Sequence, residues 1–416
     1  VPWELTGPPE VAKLGSNPGF PMTTSPFPPS PFPPSPFPPG LGLPGAATQV
    51  GSDEVWHGEG MGPMPTSLEG IVRLANTRNY SDVHVGVGEE PRYRSRGEMI
   101  RTGWPVTDQA SFNTWMREML SPAEIDAFLR DKEYDGSHAF PFVRVRINLM
   151  DSLRGPAMVL RLIPQKISTL EDLNLPEVLR ELCARPKGMI LVTGPTGSGK
   201  STTLAAMVDW INNNMSRHIL TIEDPVEFVH ESRQSLIRHR QVGHHTKLFQ
   251  NALRASLRED PDVILIGEIR DRETLATAIE ASQTGHLVFG TLHTNSAIKT
   301  VERVLGMYPP SDQDNIRRSV SETLLSVIAQ GLIKTTDGER AAYHDILINT
   351  DACRDYIQRG DLDEIEEIMR RSRFDGMVTS NQSLQELVET GRVKPDDAIA
   401  QSLKPNELAQ ALRGRT

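Results

Sequence analysis

Apolar and polar positions change rhythm along this chain, and each change marks an element. Residues 25–39 have no secondary-structure period: Ser-Pro-Phe-Pro-Pro is written three times. Proline fixes φ and lacks an N–H, so this stretch favours polyproline II and supplies neither a ladder nor a helix. Residues 1–66 therefore read as a proline-rich, extended or disordered tail acting as a spacer. Docking into an aromatic groove is the second reading. Phe27, Phe32 and Phe37 recur every five residues, out of step with the three-residue turn of polyproline II.

Beyond Thr66 the rhythm becomes regular. Ser67–Asn76 suits an amphipathic helix, and Ser81–Val87 alternates with period two, as a half-buried strand does. Arg92–Thr102 predicts a hairpin turning at Arg96-Gly97. Val143, Val145 and Ile147 alternate with Arg144, Arg146 and Asn148, and Met158–Ile163 predicts one more strand. Mixed helices and strands over residues 67–163 point to a small α+β domain, followed by a linker at 164–169. From Leu170 short, wholly apolar runs alternate with longer helical stretches. The runs are Met189–Thr193, Ile219–Ile222, Val263–Ile266 and Leu287–Thr291. This is the pattern of a parallel sheet covered on both faces, an α/β domain over residues 170–360. In such sheets the ligand sits at the carboxyl ends of the strands. Residues 361–416 read as a charged helical tail, with acids gathered where a helix begins.

Composition narrows the function. The 416 residues carry 44 basic and 54 acidic side chains, a formal charge of −10, and no long Lys/Arg run. A phosphate-backbone partner normally leaves a basic stripe, so no nucleic acid is expected. Cys183 and Cys353 are the only two cysteines, which rules out a four-cysteine zinc site and argues against a secreted disulfide scaffold. No apolar run reaches the roughly 18 residues of a membrane span, and no signal peptide is evident. A cytoplasmic location follows as an expectation.

The strongest chemical signal is Gly194-Pro195-Thr196-Gly197-Ser198-Gly199-Lys200-Ser201-Thr202, between an apolar strand and a helix. Glycines there let backbone N–H groups converge on a phosphate, and the helix start adds partial positive charge. Lys200 is expected to reach the β- and γ-phosphates of ATP, and the Ser201 hydroxyl to bind Mg²⁺. The stretch Asp260–Glu268 contains the strand Val263–Ile266, which delivers Glu268, just past Gly267, as a metal ligand or as the group that polarises water. Thr221-Ile222-Glu223-Asp224-Pro225-Val226-Glu227 ends another strand in acids, of which Glu223 is the candidate second positioning group. His293 closes the Leu287–Thr291 strand in the same manner. Arg254, Arg258 and Arg270 flank the acid strand, and guanidinium groups suit the charge spread over a transferring phosphoryl group, often from a neighbouring subunit. Arg254 and Arg258 at i, i+4 would share a helix face. Arg144 and Arg146 are weaker candidates for the same task.

These blocks, in this order, resemble the secretion ATPases of type II secretion and type IV pili, over roughly residues 67–416. Ser81-Asp82-Val83-His84 and Ser383–Val388 are further landmarks of the likeness. The resemblance implies a PAS-like first domain and a RecA-like P-loop domain in a homohexamer. It also implies ATP bound between the domains and docking, at the cytoplasmic side of the inner membrane, to a pilus platform protein within the assembly machinery. The missing four-cysteine module and short first domain favour the pilus-retraction branch, and with it a Mg²⁺-dependent ATPase that disassembles pili. That branch carries A-I-R-N-L-[IL]; here the stretch reads Ala352-Cys353-Arg354-Asp355-Tyr356-Ile357, which leaves an accessory retraction ATPase as an alternative. A RecA-like nucleic-acid translocase and a non-catalytic scaffold are the readings of other classes.

Overall fold

A computed structural model describes residues 61–414 apart from 96, 164 and 165. The proline repeats, Arg96 at the hairpin turn and Pro164 at the start of the expected linker lie outside the described residues.

The first sheet has six antiparallel strands: β1 (Asp82–Gly86), β2 (Arg92–Ser95), β3 (Glu98–Arg101), β4 (Glu133–Phe140), β5 (Val143–Met150) and β6 (Ala157–Ile163). Their spatial order is β3-β2-β1-β6-β5-β4. Alternation sorts its two faces. Val83, Val85, Val145, Ile147 and Leu160 are buried beneath the helices Leu68–Thr77 and Gln109–Met119, which contribute Leu68, Ile71, Phe112 and Trp115. On the other face Asp82, Arg161 and Arg146 stand side by side on neighbouring strands. Asp82 is buried and accepts a hydrogen bond from Arg161 Nε at 2.9 Å. The expected strands and hairpin are present. β4 and the helices Gln109–Met119 and Pro122–Asp131 are additions to the expected elements; the helices have a sequence signal, since Phe112, Trp115, Met116 and Met119 are spaced i, i+3, i+4, i+7 and Ser121 with Glu124 forms a capping box.

The second sheet follows the order β13-β12-β7-β11-β10-β8-β9. Its strands are β7 (Gly188–Thr193), β8 (His218–Glu223), β9 (Leu236–Gln241), β10 (Val263–Ile266), β11 (Leu287–Leu292), β12 (Leu324–Lys334) and β13 (Arg340–Ile348). All neighbours run parallel except β12 and β13. β7, β10 and β11 are buried at every residue, which is why they read as unbroken apolar runs. One face is covered by the helices Arg272–Gln283, Ala297–Leu305 and Gln313–Thr323, the other by Val178–Cys183 and Lys200–Asn214. This is the α/β, RecA-like arrangement that the alternation implied.

The helices after residue 361 pack onto this unit. Ile365 and Met369 join its core, and Leu384, Leu387 and Leu408 cluster with Ile333 and Ala341 of β12 and β13. Asp345 on β13 secures the junction: its Oδ1 accepts from the Ala297 N–H at 3.0 Å and its Oδ2 from the Ser380 N–H at 3.1 Å, at the starts of two helices. Arg354 lies on the helix Asp351–Arg359, whose Cys353 and Ile357 are buried in the same core.

The tail expected over residues 1–66 is too long at its far end. Met61 is buried in the first core, Trp104 Nε1 donates to the Gly62 carbonyl at 3.0 Å, and Trp115 Nε1 donates to that of Thr66 at 3.4 Å. The anchoring leaves no local sequence signal, since the two indoles that hold it come 42 and 49 residues later. Deleting residues 1–66 should therefore melt the protein earlier than deleting residues 1–60. The expected difference is about 2–4 kcal/mol, from one buried methionine and two hydrogen bonds. Superimposable calorimetric melts of the two truncations would exclude this.

Candidate functional site

A cleft of about 620 Å³ opens where the carboxyl ends of β7, β8, β10 and β11 meet the polar face of the first sheet. Its size is that of a small-molecule or nucleotide site. The phosphate-type loop, the acid turn after β8, Glu268, Arg270 and His293 all line it, together with Arg146 and Arg161.

The loop is shaped by glycine where nothing else fits. Gly194 has φ 146°, and a Cβ there would stand 2.3 Å from the Gln330 carbonyl and 2.5 Å from Ser198 Oγ. Gly199, at φ 88°, forms the N-cap of the helix Lys200–Asn214, so the chain turns from loop to helix without a side chain in the way. Gln330, buried on β12, holds the loop from beneath. Its Nε2 donates to the Ser198 carbonyl at 2.7 Å, and its Oε1 accepts from Thr203 Oγ1 at 2.9 Å. Ser198 Oγ is buried without a partner among the described residues. Lys200 Nζ donates to the Gly194 carbonyl at 2.8 Å and to that of Pro195 at 3.1 Å. Burial pushes its pKa below the ordinary lysine value, partly offset by Glu227 and Glu268.

Glu268 is held at both oxygens. Arg270 Nε donates to Oε2 at 2.8 Å, and His293 Nε2 lies 3.1 Å from Oε1. Burial pushes this carboxyl up, but the Arg270 and His293 contacts outweigh it and leave the pKa below the usual carboxylate value. The carboxylate is thus ionised at neutral pH and fixed in direction. Glu223 ends β8, with Oε2 accepting from the Glu227 N–H at 3.4 Å.

Of the three arginines read around the acid strand, only Arg270 lines the cleft. Arg254 pairs with Glu273 on the next helix. Arg258 is exposed and lies past the helix Phe249–Ser256, so the shared helix face expected from the i, i+4 spacing does not form. Arg146 does reach the cleft, whereas Arg144 donates to Ser137 Oγ at 2.8 Å and to Gln241 Oε1 at 3.4 Å. Sequence reasoning missed Gln330, Arg161 and His239. Each is tied to the site by strand pairing or by contacts across the sheet, and none sits in a motif of its own.

Among the described residues no three His, Cys, Asp or Glu side chains form a self-sufficient metal centre. The donors here suit Mg²⁺ of another kind, one that brings phosphate and water ligands and takes only a hydroxyl and a carboxylate from protein. The glycine cradle, the orphaned Ser198 hydroxyl and the Ser201 hydroxyl at the helix start fit a phosphate chain with such an ion.

Comparison with known proteins agrees with this geometry. The sequence profile of the family described as type II/IV secretion system protein matches residues 60–411. A twitching motility protein of Neisseria gonorrhoeae is 45% identical over 310 residues, covering 74% of this chain and 83% of its own length. The type IV pilus retraction ATPase PilT of Pseudomonas aeruginosa is 43% identical over 339 residues, covering 81% of this chain and 98% of its own. The crystal structure of the pilus retraction motor PilT with bound ADP superposes with a TM-score of 0.77 at 38% identity, covering 83% of this chain and 99% of that one. With its phosphate loop, acid turn and histidine at the ends of one parallel sheet, the chain belongs to the type II/IV secretion system protein family.

Proposed function

We propose that this chain is an ATP-hydrolysing motor of type IV pilus retraction. It would work as a homohexamer against a platform protein of the inner membrane. The observation that carries the reading is the cleft itself, where a phosphate cradle and a doubly held carboxylate face each other inside a fold shared with a retraction motor. Among the described residues no helix is long and apolar enough to cross a membrane.

The loop N–H groups and Lys200 hold the phosphates of ATP, with Lys200 exchanging its loop carbonyls for phosphate oxygens. Ser201 and Glu268 are the residues that would hold Mg²⁺, whose contribution is to neutralise charge on the β- and γ-phosphates. Glu268, ionised and aimed by Arg270 and His293, accepts a hydrogen bond from the attacking water, and Glu223 orients it from the neighbouring strand. Arg270 also supplies positive charge at the γ-phosphate. A similar role for Arg254 and Arg258 is left to the nucleotide of an adjacent subunit, since neither lines this cleft. Arg146 and Arg161 bring the first sheet to the same ligand, so that hydrolysis moves the two sheets relative to one another. The changes at Cys353, Asp355 and Tyr356 favour one second reading, an accessory retraction ATPase that works beside a principal motor.

Lys200→Ala on the chromosome tests the function. Cells should lose twitching and accumulate surface pili, while the purified variant no longer turns over ATP. Bald cells would make the protein an assembly ATPase, and unchanged turnover would refute the nucleotide site. Glu268→Gln should still bind ATP but hydrolyse it about 10²–10⁴-fold more slowly; parallel loss of affinity would make Glu268 chiefly a metal anchor. Gly194→Ala forces the loop off Gln330. Strain of the order of 1–3 kcal/mol should weaken binding of a fluorescent ADP about tenfold or more, and an unchanged titration would show that the cradle tolerates a Cβ.

A further inference from the structure

The geometry points to His239 as a positioning residue that clamps the acid turn, acting on Glu223 through the backbone that carries it. This rests on the hydrolytic reading above and deepens it. His239 lies on β9, the edge strand, directly opposite Thr221 of β8. Its ring bridges Thr221, within β8, and His230, at the far end of the acid turn. Nε2 accepts from the backbone N–H of His230 at 3.0 Å. A nitrogen that accepts carries no proton, so the imidazole is neutral with its proton on Nδ1. That Nδ1 lies 2.8 Å from Thr221 Oγ1 and donates to it, with Glu223 Oε1 at 3.8 Å on the same side.

The far end of the turn is packed as well as bonded. The His230 ring stacks on His239 with centroids 5.8 Å apart and planes 19° from parallel. Burial, reinforced by the nearby Arg233 charge, pushes the His230 pKa down to about 3. It is therefore an uncharged wall behind the clamp. Two residues along β9, Gln241 Oε1 accepts from the Val226 N–H at 3.3 Å, and the Val242 N–H donates to the Glu223 carbonyl at 3.0 Å. The end of β8 and the turn after it are thus pinned at Thr221, Glu223, Val226 and His230 from β9 and the residue that follows it. Arg144 of the first sheet reaches the same Gln241, so movement of that sheet is felt at the acid turn.

A residue that aims a carboxylate without touching the nucleotide should alter turnover and spare affinity. His239→Leu removes the donor and the acceptor. His239→Gln restores one of each at similar reach. In steady-state ATPase assays of the full chain, kcat of His239→Leu should fall about 10- to 100-fold, the cost of a carboxylate displaced by an ångström or so. KM should stay within about threefold, and His239→Gln should return kcat to within about threefold of wild type. Full kcat in His239→Leu, or equal loss in both variants, overturns the clamp. If His239→Leu does not fold, Gln241→Leu removes a neighbouring pin and should show the same split between kcat and KM; an unchanged kcat there overturns the clamp too. Glu223→Gln is the reference. If it is impaired while His239→Leu is not, only the clamp fails. If it turns over at full rate, the role of Glu223 fails and the clamp with it.

Discussion

Four buried strands in parallel register bring the phosphate loop, the acid turn, Glu268 and His293 to the same end of one sheet. Ile266 of β10 pairs with Ile222 of β8 and Gly290 of β11, and Leu292 of β11 pairs with Thr193 of β7. The residues that follow each strand therefore emerge side by side: the phosphate loop after β7, the acid turn after β8, Glu268 after β10 and His293 after β11. A slip of one residue in any strand would send its apolar side chains to the wrong face. The same burial that locks the strands thus fixes the distances between a lysine, two glutamates and a histidine.

Inside that frame, buried polar side chains at the site draw their partners from distant parts of the chain. Gln330 reaches the loop across 132 residues, and the single carboxylate of Asp345 ties together the starts of the helices Ala297–Leu305 and Ser380–Glu389. Burial pushes the Asp345 carboxyl above its ordinary pKa, held back in part by the two N–H groups it accepts from. A buried group bonded this way costs little while every bond is made and much when one is lost. Loop, β12, β13 and the C-terminal helices are thus joined by an unbroken series of hydrogen bonds.

The first sheet faces the cleft with a row of charge. Arg161 is fixed by buried Asp82, and Arg146 is its neighbour on β5, so both guanidinium groups border the cleft. Alternation along β5 announced which face would be polar. It did not announce what that face would meet, because the polar side of a strand reads the same whether it borders solvent or a nucleotide.

Contiguous chemistry was legible without the structure. The loop from Gly194 to Thr202, the acids at Glu223 and Glu268, His293 and the parallel character of the strands all follow from short stretches whose backbone preferences and side chains act together. Only the tertiary structure placed Gln330 under the loop, His239 across the acid turn and Arg161 in the cleft, anchored residues 61–66 on two indoles, and removed Arg254 and Arg258 from this chain's own site. The reason is physical. A fully buried parallel strand is an apolar run whatever its neighbours, so strand order leaves no trace in periodicity. Hydrogen bonds across the sheet depend on that order alone.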